Sequence, residues 1–300
     1  MYVVLGATGH TGSTIAETLL GNGEKVRVVS RSRVRLAELV RRGAEAFEGD
    51  VTDSAALTQA FTGARAVYFM MPPNLTATDY RAYQDQVTEA GAAALESAQV
   101  RHAVTLSSLG AEQESGTGPI VGQRYMESRF SRIAGLNVLH LRAGYFMENS
   151  LAQTSVIQNF GMMAGPVRAD LKLPMIATRD IGKAAAAALL KLDFSGQQTQ
   201  ELLGQRDISY AEAARIVGAA IGKSDLAYQQ LPTEQIIQAM SQMGMSKNVA
   251  ELICEMAESL NNGRIKPLET RSAKNTTPTS FETFVQEVFL PAYRGKAARA

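Results

Sequence analysis

Short apolar runs alternate with longer amphipathic segments through the first half of the chain. The short runs are rich in valine, alanine and aromatic residues, as buried strands are, and the longer segments repeat apolar residues at helical spacing. This alternation predicts an α/β fold built on a doubly wound parallel sheet with helices on both faces. The predicted strands are Tyr2–Leu5, Val26–Ser30, Ala44–Glu48, Ala66–Met71, His102–Ser107 and Val138–Arg142. The predicted helices are Thr11–Leu20, Arg33–Arg42, Ser54–Phe61, Asp79–Ala98 and Gly122–Ala134.

The alternation ends near residue 150, and helical patterns dominate from there. We therefore expect a first domain over residues 1–150 and a smaller, helix-rich domain over residues 151–300. The alanine-rich helix 180–192 is expected to pack back on the first domain. Strand-like pieces occur at Val167-Arg168 and Leu173–Ala177, and a polar loop covers residues 261–279. The remaining predicted helices are Tyr210–Ile221, Thr233–Met243, Lys247–Leu260 and Thr279–Phe289.

A glycine-rich turn, Gly6-Ala7-Thr8-Gly9-His10-Thr11-Gly12, joins the first strand to the first helix. One glycine lets the chain turn tightly, one lets the backbone approach a pyrophosphate, and the last lets the helix pack close to the strand. The helix N-terminus then offers free N–H groups and a partial positive charge to phosphates. The turn predicts a Rossmann domain that binds a dinucleotide. The alternative is a glycine-rich turn without a ligand.

Basic residues follow the second predicted strand, where the adenosine ribose is recognised. A site for NAD usually carries Asp or Glu there, which bonds the ribose 2′-hydroxyl. This chain has Arg31 at that position, with Ser30, Ser32 and Arg33 beside it. A guanidinium grips a 2′-phosphate with two parallel bonds, whereas a carboxylate repels it. The pattern favours NADP(H), held by Arg31 and Arg33; the alternative for Arg33 and Arg35 is that they solvate the next helix.

Further candidate cofactor residues follow the third and fourth strands, since ligands of doubly wound sheets bind beyond the carboxyl ends of the strands. Asp50 is expected to accept a hydrogen bond from the adenine amino group, and Val51 to pack on the ring. Asp53 has the position of a helix cap. After the fourth strand, two prolines hold the backbone extended. The residues expected to line the nicotinamide ribose there are Met70, Met71 and Pro72.

The bulk composition excludes several classes of partner. The 30 basic and 29 acidic residues nearly cancel, so there is no broad electrostatic basis for binding nucleic acid or a membrane. The first strand starts at Tyr2, which leaves no room for a signal peptide. The single Cys254 has no partner for a disulfide or a metal site. We expect a cytoplasmic protein without a metal centre; the pattern leaves the oligomeric state open, and a homodimer is compatible with it.

Methionines recur at helical spacing between residues 233 and 260. Such residues belong either to a plain core or to an adaptable pocket wall, here a mobile helical lid over the nicotinamide. Both interpretations stay open on the sequence. The methionines concerned are Met240, Met243, Met245 and Met256.

Several separated segments resemble the NmrA-like atypical short-chain dehydrogenases, in particular their bacterial NAD(P)H:quinone oxidoreductase-type members. The resemblance covers roughly the first 195 residues, and the last third matches only in general shape. It implies an NADP-binding Rossmann domain over residues 1–150 and a smaller substrate-binding or lid domain that closes a cleft. The matching segments are the turn 6–12, Arg31, Gly49-Asp50, Ser107 to Ala111, Leu141 to Asn149 and Thr178 to Gly182.

The resemblance also implies roles for individual residues. Arg31 would hold the 2′-phosphate, and Ser107, Tyr145 and Phe146 would flank the nicotinamide. For Asp180, the resemblance implies a structural role as the cap of its helix rather than a catalytic role. The residues that would hold the pyrophosphate are Gly6, Thr8, Gly9, His10, Thr11 and Gly12.

A partial catalytic set follows from the pattern of typical short-chain dehydrogenases, which use a Ser together with a Tyr and a Lys four residues apart. This chain has Tyr125 and Arg129 at that spacing, on one face of the helix after the Ser107 strand. Arg129 can bond a ribose hydroxyl and stabilise a tyrosinate, but it cannot relay a proton. NmrA-like proteins commonly lack the Tyr. Ser107, Tyr125 and Arg129 are the predicted catalytic residues; the alternative for Tyr125 is a surface or packing role.

Two functions from different classes follow. The first is an NADPH-dependent oxidoreductase that transfers a hydride to a small quinone or a related conjugated or carbonyl acceptor. Such a reaction tolerates an incomplete catalytic set, because holding donor and acceptor together is itself a large effect. The second is a non-catalytic NADP(H) sensor that binds a protein partner.

Overall fold

A seven-stranded parallel sheet forms the centre of the protein, whose structure is a computed structural model that describes residues 1–295. Residues 296–300, the end of the predicted second domain, lie outside the described residues. The strands of the chain are β1 (Tyr2–Leu5), β2 (Val26–Ser30), β3 (Glu45–Glu48), β4 (Ala66–Phe69), β5 (His102–Ser108), β6 (Asn137–Ala143), β7 (Tyr145–Phe146), β8 (Met163–Gly165), β9 (Leu173–Ile176), β10 (Gln197–Leu202), β11 (Asp207–Ile208) and β12 (Tyr228–Gln230).

Helices cover both faces of this sheet and make up most of the second half of the chain. A π-helical turn, Val285–Phe289, joins the last two of them. The helices are α1 (His10–Gly21), α2 (Ala37–Arg41), α3 (Ser54–Phe61), α4 (Tyr80–Ser97), α5 (Ile120–Phe130), α6 (Gln153–Phe160), α7 (Thr178–Lys191), α8 (Tyr210–Ile221), α9 (Thr233–Gln242), α10 (Lys247–Asn261), α11 (Phe281–Phe284) and α12 (Leu290–Tyr293).

The strand order in the central sheet is β10-β6-β5-β4-β1-β2-β3, and every pairing in it is parallel. The predicted α/β fold is confirmed. All four residues of β1 are buried because the strand is covered on both faces. The order of strands reverses between β1 and β4, and a crevice at such a switch point is where open α/β sheets bind ligands.

Two apolar cores sandwich the sheet. The core on one face joins Val4 and Tyr68 to α1 and α7, and the core on the other face joins Val3 and Phe69 to α3, α4 and α5. Helix α7 packs against α1, and a Cβ on Gly182 would lie 2.7 Å from Cβ of Thr14. The close approach of the two helices therefore depends on that glycine.

The second half adds its own core and one strand of the central sheet. Residues of α8, α10 and α11 surround a third apolar cluster. Strand β10 pairs with β6 at the sheet edge, so the two halves share one sheet, and the division at residue 150 stays a prediction. The prediction of a strand at Val167-Arg168 is wrong, since β8 ends at Gly165. Across residues 1–295, no helix combines the length and the apolar character needed to cross a membrane.

Candidate functional site

The glycine turn lies at the switch point, between the end of β1 and the start of α1. Gly6 has a φ of +63°, a left-handed conformation that favours glycine. The Gly9 N–H donates to the Gly6 carbonyl oxygen at 2.9 Å and closes the turn. A Cβ on Gly12 would overlap that same oxygen, so α1 can approach β1 this closely only with glycine there. The glycines thus hold the turn and the start of α1 in close backbone contact, and the space in front of the helix N-terminus is called the hollow below.

The N-terminus of α1 offers unpaired donors to this hollow. Gly9 precedes the helix with an extended backbone, no side chain caps it, and the first turn carries no acidic residue. Among the described residues, the N–H groups of His10, Thr11 and Gly12 have no protein acceptor. Thr8, Gly9 and His10 are exposed. Successive free N–H groups with the helix dipole behind them form an anion site of the size of a phosphate.

The Thr11 side chain has a structural part in this arrangement. It is buried, and its Oγ1 accepts a hydrogen bond from Tyr68 Oη at 3.3 Å. Burial raises the pKa of Tyr68, which keeps this phenol a donor. Thr11 thus ties the start of α1 to β4 with its side chain and faces the hollow with its N–H group.

Arg31 and Arg33 lie just beyond the carboxyl end of β2, and both are exposed. Over residues 1–295, neither guanidinium has an ion-pair or hydrogen-bond partner. The pKa of Asp50 is lowered chiefly by the Thr52 N–H that it accepts, and additionally by the nearby charge of Arg31. Burial raises the pKa of Tyr83 to about 12, and the Arg31 charge acts in the opposite direction. The structure therefore brings Arg31, Asp50 and Tyr83 together at one end of the sheet.

Asp50 stabilises a turn with one carboxylate oxygen, and its other oxygen, Oδ2, accepts no hydrogen bond within the described residues. Its Oδ1 accepts from the Thr52 N–H at 2.9 Å and from Thr52 Oγ1 at 2.7 Å. Val51 packs against the same core as Tyr83, which supplies an apolar wall beside the carboxylate. Asp53 accepts from the N–H groups of Ala55 and Ala56, so its predicted role as the cap of α3 is confirmed. Tyr83 was not among the predicted site residues, because the apolar pattern of a helix does not show which of its tyrosines lies near the end of a strand.

The residues after β4 point to opposite sides of the sheet. Met70 lies over the glycine turn, with its Sδ 2.7 Å from where a Gly6 Cβ would be. Met71 is buried on the other face, where Thr88 Oγ1 contacts its Sδ at 3.6 Å. The Met71 side chain therefore belongs to the core, so Met71 could line the nicotinamide ribose only with its backbone, and that contact stays a prediction. Tyr83 Oη donates to the Pro72 carbonyl at 2.8 Å and holds the following segment in place.

Ser107 does not face the switch point. Its Oγ donates to Glu127 Oε1 at 2.6 Å, and it is 3% exposed. Glu127 also accepts two bonds from Arg142, at 2.7 and 3.0 Å, and this pairing raises the pKa of Arg142. The Ser107 proton is thus committed to a buried ion pair between α5 and the sheet. The expectation that Ser107 flanks the nicotinamide or assists catalysis is corrected.

Tyr125 and Arg129 lie on the outer side of α5. Tyr125 Oη donates to Glu89 of α4 at 2.5 Å, and Arg129 pairs with Glu89 and with Glu96 at 3.1 and 3.0 Å. Residues two apart on a helix do not share a face. Tyr125 therefore points away from the side where Glu127 binds Ser107, and the predicted catalytic set is not assembled. The two residues link α4 to α5 instead, which is the packing role that the sequence left open for Tyr125.

Tyr145 and Phe146 form β7, directly beyond the carboxyl end of β6. Phe146 packs against the core that also contains α1 and α7, and Tyr145 packs against the core of the second half. Tyr210 Oη donates to Tyr145 Oη at 2.9 Å, and the Tyr210 ring stacks on Tyr228 with centroids 4.5 Å apart. The sequence did not mark Tyr210 or Tyr228, because their distance along the chain hides that they meet Tyr145.

The acidic residues after Phe146 and at the start of α7 are structural. Glu148 accepts from the Thr178 N–H at 3.0 Å and from Thr178 Oγ1 at 2.5 Å, which caps α7 from outside. Asp180 does not cap its own helix. Its carboxylate accepts from the N–H and the Oγ1 of Thr279, both at 2.9 Å, and so fastens the C-terminal segment to α7.

Helix α10 closes over the loops that follow β4 and β5. Its N-cap residue Ser246 donates from N to the Leu75 carbonyl at 2.9 Å and from Oγ to the Ala77 carbonyl at 2.6 Å. The Tyr80 N–H donates to Asn248 Oδ1 at 2.9 Å. Among the helical methionines, Met256 packs against the core of the second half, as the core interpretation predicts. Met243 is 74% exposed and does not belong to a core. A helical lid over the nicotinamide stays a prediction. In the part of the chain that the structure describes, no three His, Cys, Asp or Glu side chains meet as metal ligands.

Comparison with known proteins matches this chain to one family model and shows its similarity to several reductases. The NmrA-like family model matches residues 2–285. An NAD(P)H azoreductase of Xenophilus azovorans is 28% identical over 260 residues, which cover 85% of this chain and 86% of the relative. An NADPH-dependent quinone oxidoreductase of Escherichia coli, solved with NADPH, matches with a TM-score of 0.76 at 20% identity over 100% of this chain and 96% of that one. A triphenylmethane reductase of Citrobacter sp., solved with NADP(H), matches with a TM-score of 0.78 at 19% identity over 95% of this chain and 99% of that one.

Proposed function

Because the chain belongs to the NmrA-like family, we propose that it is an NADPH-dependent oxidoreductase that transfers a hydride to a small, electron-poor acceptor. The observation that carries this proposal is the hollow at the switch point. Its wall is the backbone of Gly6 to Gly12, a Cβ on Gly12 would overlap the Gly6 carbonyl oxygen and disturb this wall, and the N–H groups of His10, Thr11 and Gly12 lack acceptors within the described residues. A pyrophosphate fits this donor set in size and charge.

The phosphate preference is supported by the residues at the end of β2. Arg31 is exposed and unpaired within the described residues, and the nearest acidic side chain, Asp50, turns one oxygen toward Thr52. Arg31 would hold a 2′-phosphate, with Arg33 next to it as a second cation. Asp50 Oδ2 and the apolar wall of Val51 and Tyr83 would bind the adenine. This set suits NADPH better than NADH, because an NAD site places a carboxylate where Arg31 stands.

The bound cofactor supplies a hydride from its nicotinamide ring. The residues of this chain hold the two reactants in contact and keep water away from them. Met70 and the Pro72 segment would support the ribose on one side, and Phe146 would support the ring on the other. Such positioning by itself accounts for a large share of the rate, since it turns a bimolecular reaction into a nearly unimolecular one.

The acceptor class is supported by what the relatives share. Their names state an azo compound, a quinone and a triphenylmethane dye as substrates. All three classes are conjugated and electron-poor, so each accepts a hydride readily. For this chain we propose a small quinone or a related conjugated or carbonyl compound. The lack of an assembled Ser–Tyr–Lys set favours acceptors that are activated by their own conjugation.

The proposal is tested with the purified chain, NADPH, and a panel of para-quinones, azo dyes and aldehydes, by following the loss of NADPH absorbance. We expect turnover with at least one quinone and a rate with NADPH well above that with NADH. Gly12→Ala should weaken NADPH binding about tenfold or more, since its Cβ meets the Gly6 carbonyl. Gly21→Ala is the matched control at the other end of α1, where a Cβ meets nothing within 4 Å. Tight NADPH binding without turnover of any acceptor would support the NADP(H) sensor instead.

A further inference from the structure

Tyr145 occupies the position in the fold where a reacting acceptor would be expected. It follows β6 at the carboxyl edge of the sheet, and it lies between the two halves of the molecule. Phe146, its neighbour on β7, packs against the core beside α1, while Tyr145 packs toward the core of the second half. The Tyr145 residue is only partly buried, whereas Tyr210 behind it is 6% exposed. Of the two residues, Tyr145 is therefore the one that keeps more exposed surface.

The phenol oxygen of Tyr145 accepts one hydrogen bond, which Tyr210 Oη donates at 2.9 Å. Over residues 1–295, the proton of Tyr145 itself meets no protein acceptor. A phenol that accepts a hydrogen bond and donates to no protein group is arranged to stabilise its own anion, since the donor bonds the charged form more strongly than the neutral one.

The other hydroxyl groups considered for catalysis are engaged elsewhere. Ser107 donates to Glu127, and Tyr125 donates to Glu89. Tyr83 and Tyr228 donate to the carbonyl oxygens of Pro72 and Val167, each at 2.8 Å. Each of these protons is held by a strong acceptor, which leaves Tyr145 as the tyrosine of this group with a proton to give.

We propose that Tyr145 donates the proton that accompanies hydride transfer, and that Tyr210 stabilises the phenolate left behind. The inference rests on the proposed function. The acceptor gains two electrons with the hydride from the reduced nicotinamide, which is thereby oxidised. It gains a proton at a carbonyl oxygen or an azo nitrogen as the O–H bond of Tyr145 breaks. The phenolate then takes a proton from water on the side of Asn149, which is exposed.

Burial and hydrogen bonding act on Tyr145 in opposite directions. Burial raises the pKa of Tyr145 above its ordinary value, and the hydrogen bond from Tyr210 lowers it. The raised pKa keeps the phenol protonated before the reaction at neutral pH. The Tyr210 donor then favours the anion as it forms, which is the behaviour required of a general acid.

Two acceptors that differ in their need for a proton provide the test. A para-quinone must gain a hydride and a proton, whereas the cationic dye malachite green becomes its neutral leuco form by gaining a hydride alone. Tyr145→Phe should lower the single-turnover rate with the quinone about 100-fold, the middle of the range for general acid catalysis. The rate with malachite green should stay within about threefold of the wild-type rate, because positioning of the ring is kept.

Control variants keep the test independent of folding and of cofactor binding. Tyr228→Phe and Tyr125→Phe each remove a phenol that donates elsewhere, and both should reduce the quinone at the wild-type rate. Calorimetric titration with NADP⁺ should give the same affinity for Tyr145→Phe as for the wild type. Tyr210→Phe removes one donor, so the pKa of Tyr145 rises and the alkaline limb of the kcat profile moves to higher pH.

The possible results separate this inference from the function it rests on. A selective loss with the quinone, together with loss of the solvent deuterium isotope effect in Tyr145→Phe, supports Tyr145 as the acid. An equal loss with both acceptors, an unchanged quinone rate, or a solvent isotope effect that persists in Tyr145→Phe overturns it. If malachite green is not reduced by the wild type, the isotope effect with the quinone decides alone. A wild-type protein that reduces neither acceptor contradicts the proposed function itself.

Discussion

Arg31 is the residue on which the cofactor preference depends. It is exposed at the end of β2, and its charge reaches Asp50 and Tyr83 without forming an ion pair within the described residues. A guanidinium held apart from carboxylates is free to bind a phosphate bidentately. The 2′-phosphate distinguishes the two nicotinamide dinucleotides, so the effect of Arg31 should appear with NADPH alone.

Arg31→Ala should weaken NADPH binding about 10- to 100-fold and leave NADH binding nearly unchanged. The size follows from the loss of charge-assisted hydrogen bonds, which contribute about 1.5–3 kcal/mol. Calorimetric titration of both cofactors against the wild type and the variant measures it. Arg35→Ala is the control, because Arg35 is also exposed and lies in the short helical turn Arg33–Leu36 that follows Arg31. Equal weakening of NADPH and NADH would contradict the 2′-phosphate role of Arg31.

Residue identities allowed the phosphate-binding part of the site to be argued from the sequence, but not the catalytic part. The glycine turn is local, so the conformations of Gly6 and Gly12 follow from neighbours a few positions away. The Ser107 hydroxyl is engaged by Glu127, and the Tyr125 hydroxyl is engaged by Glu89. Both partners are distant along the chain, and Glu89 lies on a different helix from Tyr125. The spacing of Tyr125 and Arg129 correctly puts them on one face, yet it does not say which face is turned to the sheet.

At the scale of elements, α7 is the piece that joins the two halves. Glu148 caps its start, Gly182 lets it approach α1, and Asp180 fastens the segment at Thr279. Asp180 is 2% exposed, so its bonds to Thr279 replace the water it would otherwise bind. A structural role for Asp180 could be foreseen from the sequence, but its partner a hundred positions away could not.

Asp180→Asn should destabilise the fold by about 1–3 kcal/mol, since a buried carboxylate that accepts two bonds is replaced by an amide that can accept only through one oxygen. The free energy of unfolding in urea, compared with that of the wild type, measures the change. Asp193→Asn is the matched control, because Asp193 is exposed after the same helix. A destabilisation that is equal in both variants would show that the bonds to Thr279 contribute nothing specific.

The edge strand β10 was not visible in the sequence, although the other edge strand, β3, was predicted. Strand β10 begins with three exposed residues, and its polar run Gln197 to Gln200 carries no apolar signal. Its place beside β6 comes from tertiary pairing, which overrides the local pattern. In contrast, β1 and α8 begin and end at the predicted residues, because a fully buried strand and a strongly amphipathic helix each have a clear period.

At the scale of the whole molecule, the glycine turn and Tyr145 both follow carboxyl ends of strands of one sheet, β1 and β6. The first half supplies the glycine turn and Arg31, and the second half supplies Tyr210 behind Tyr145. Ser246 and Asn248 connect α10 to the loops after β4, so the second half is fastened to the loops that border the cofactor site. In the proposed function this arrangement would bring a dinucleotide and an acceptor to one place, which is what a reductase requires.

The most direct test of the account is a single turnover of NADPH carrying deuterium at C4, with the protein in excess and a para-quinone as acceptor, in the absence of oxygen. We expect the nicotinamide absorbance to decay with a rate that saturates with quinone, falls several-fold with the transferred deuterium, and is lost in Gly12→Ala at the same NADPH concentration. Bound NADPH whose absorbance is unaffected by any acceptor, or a decay that is insensitive to the deuterium and to Gly12→Ala, would contradict hydride transfer at this site.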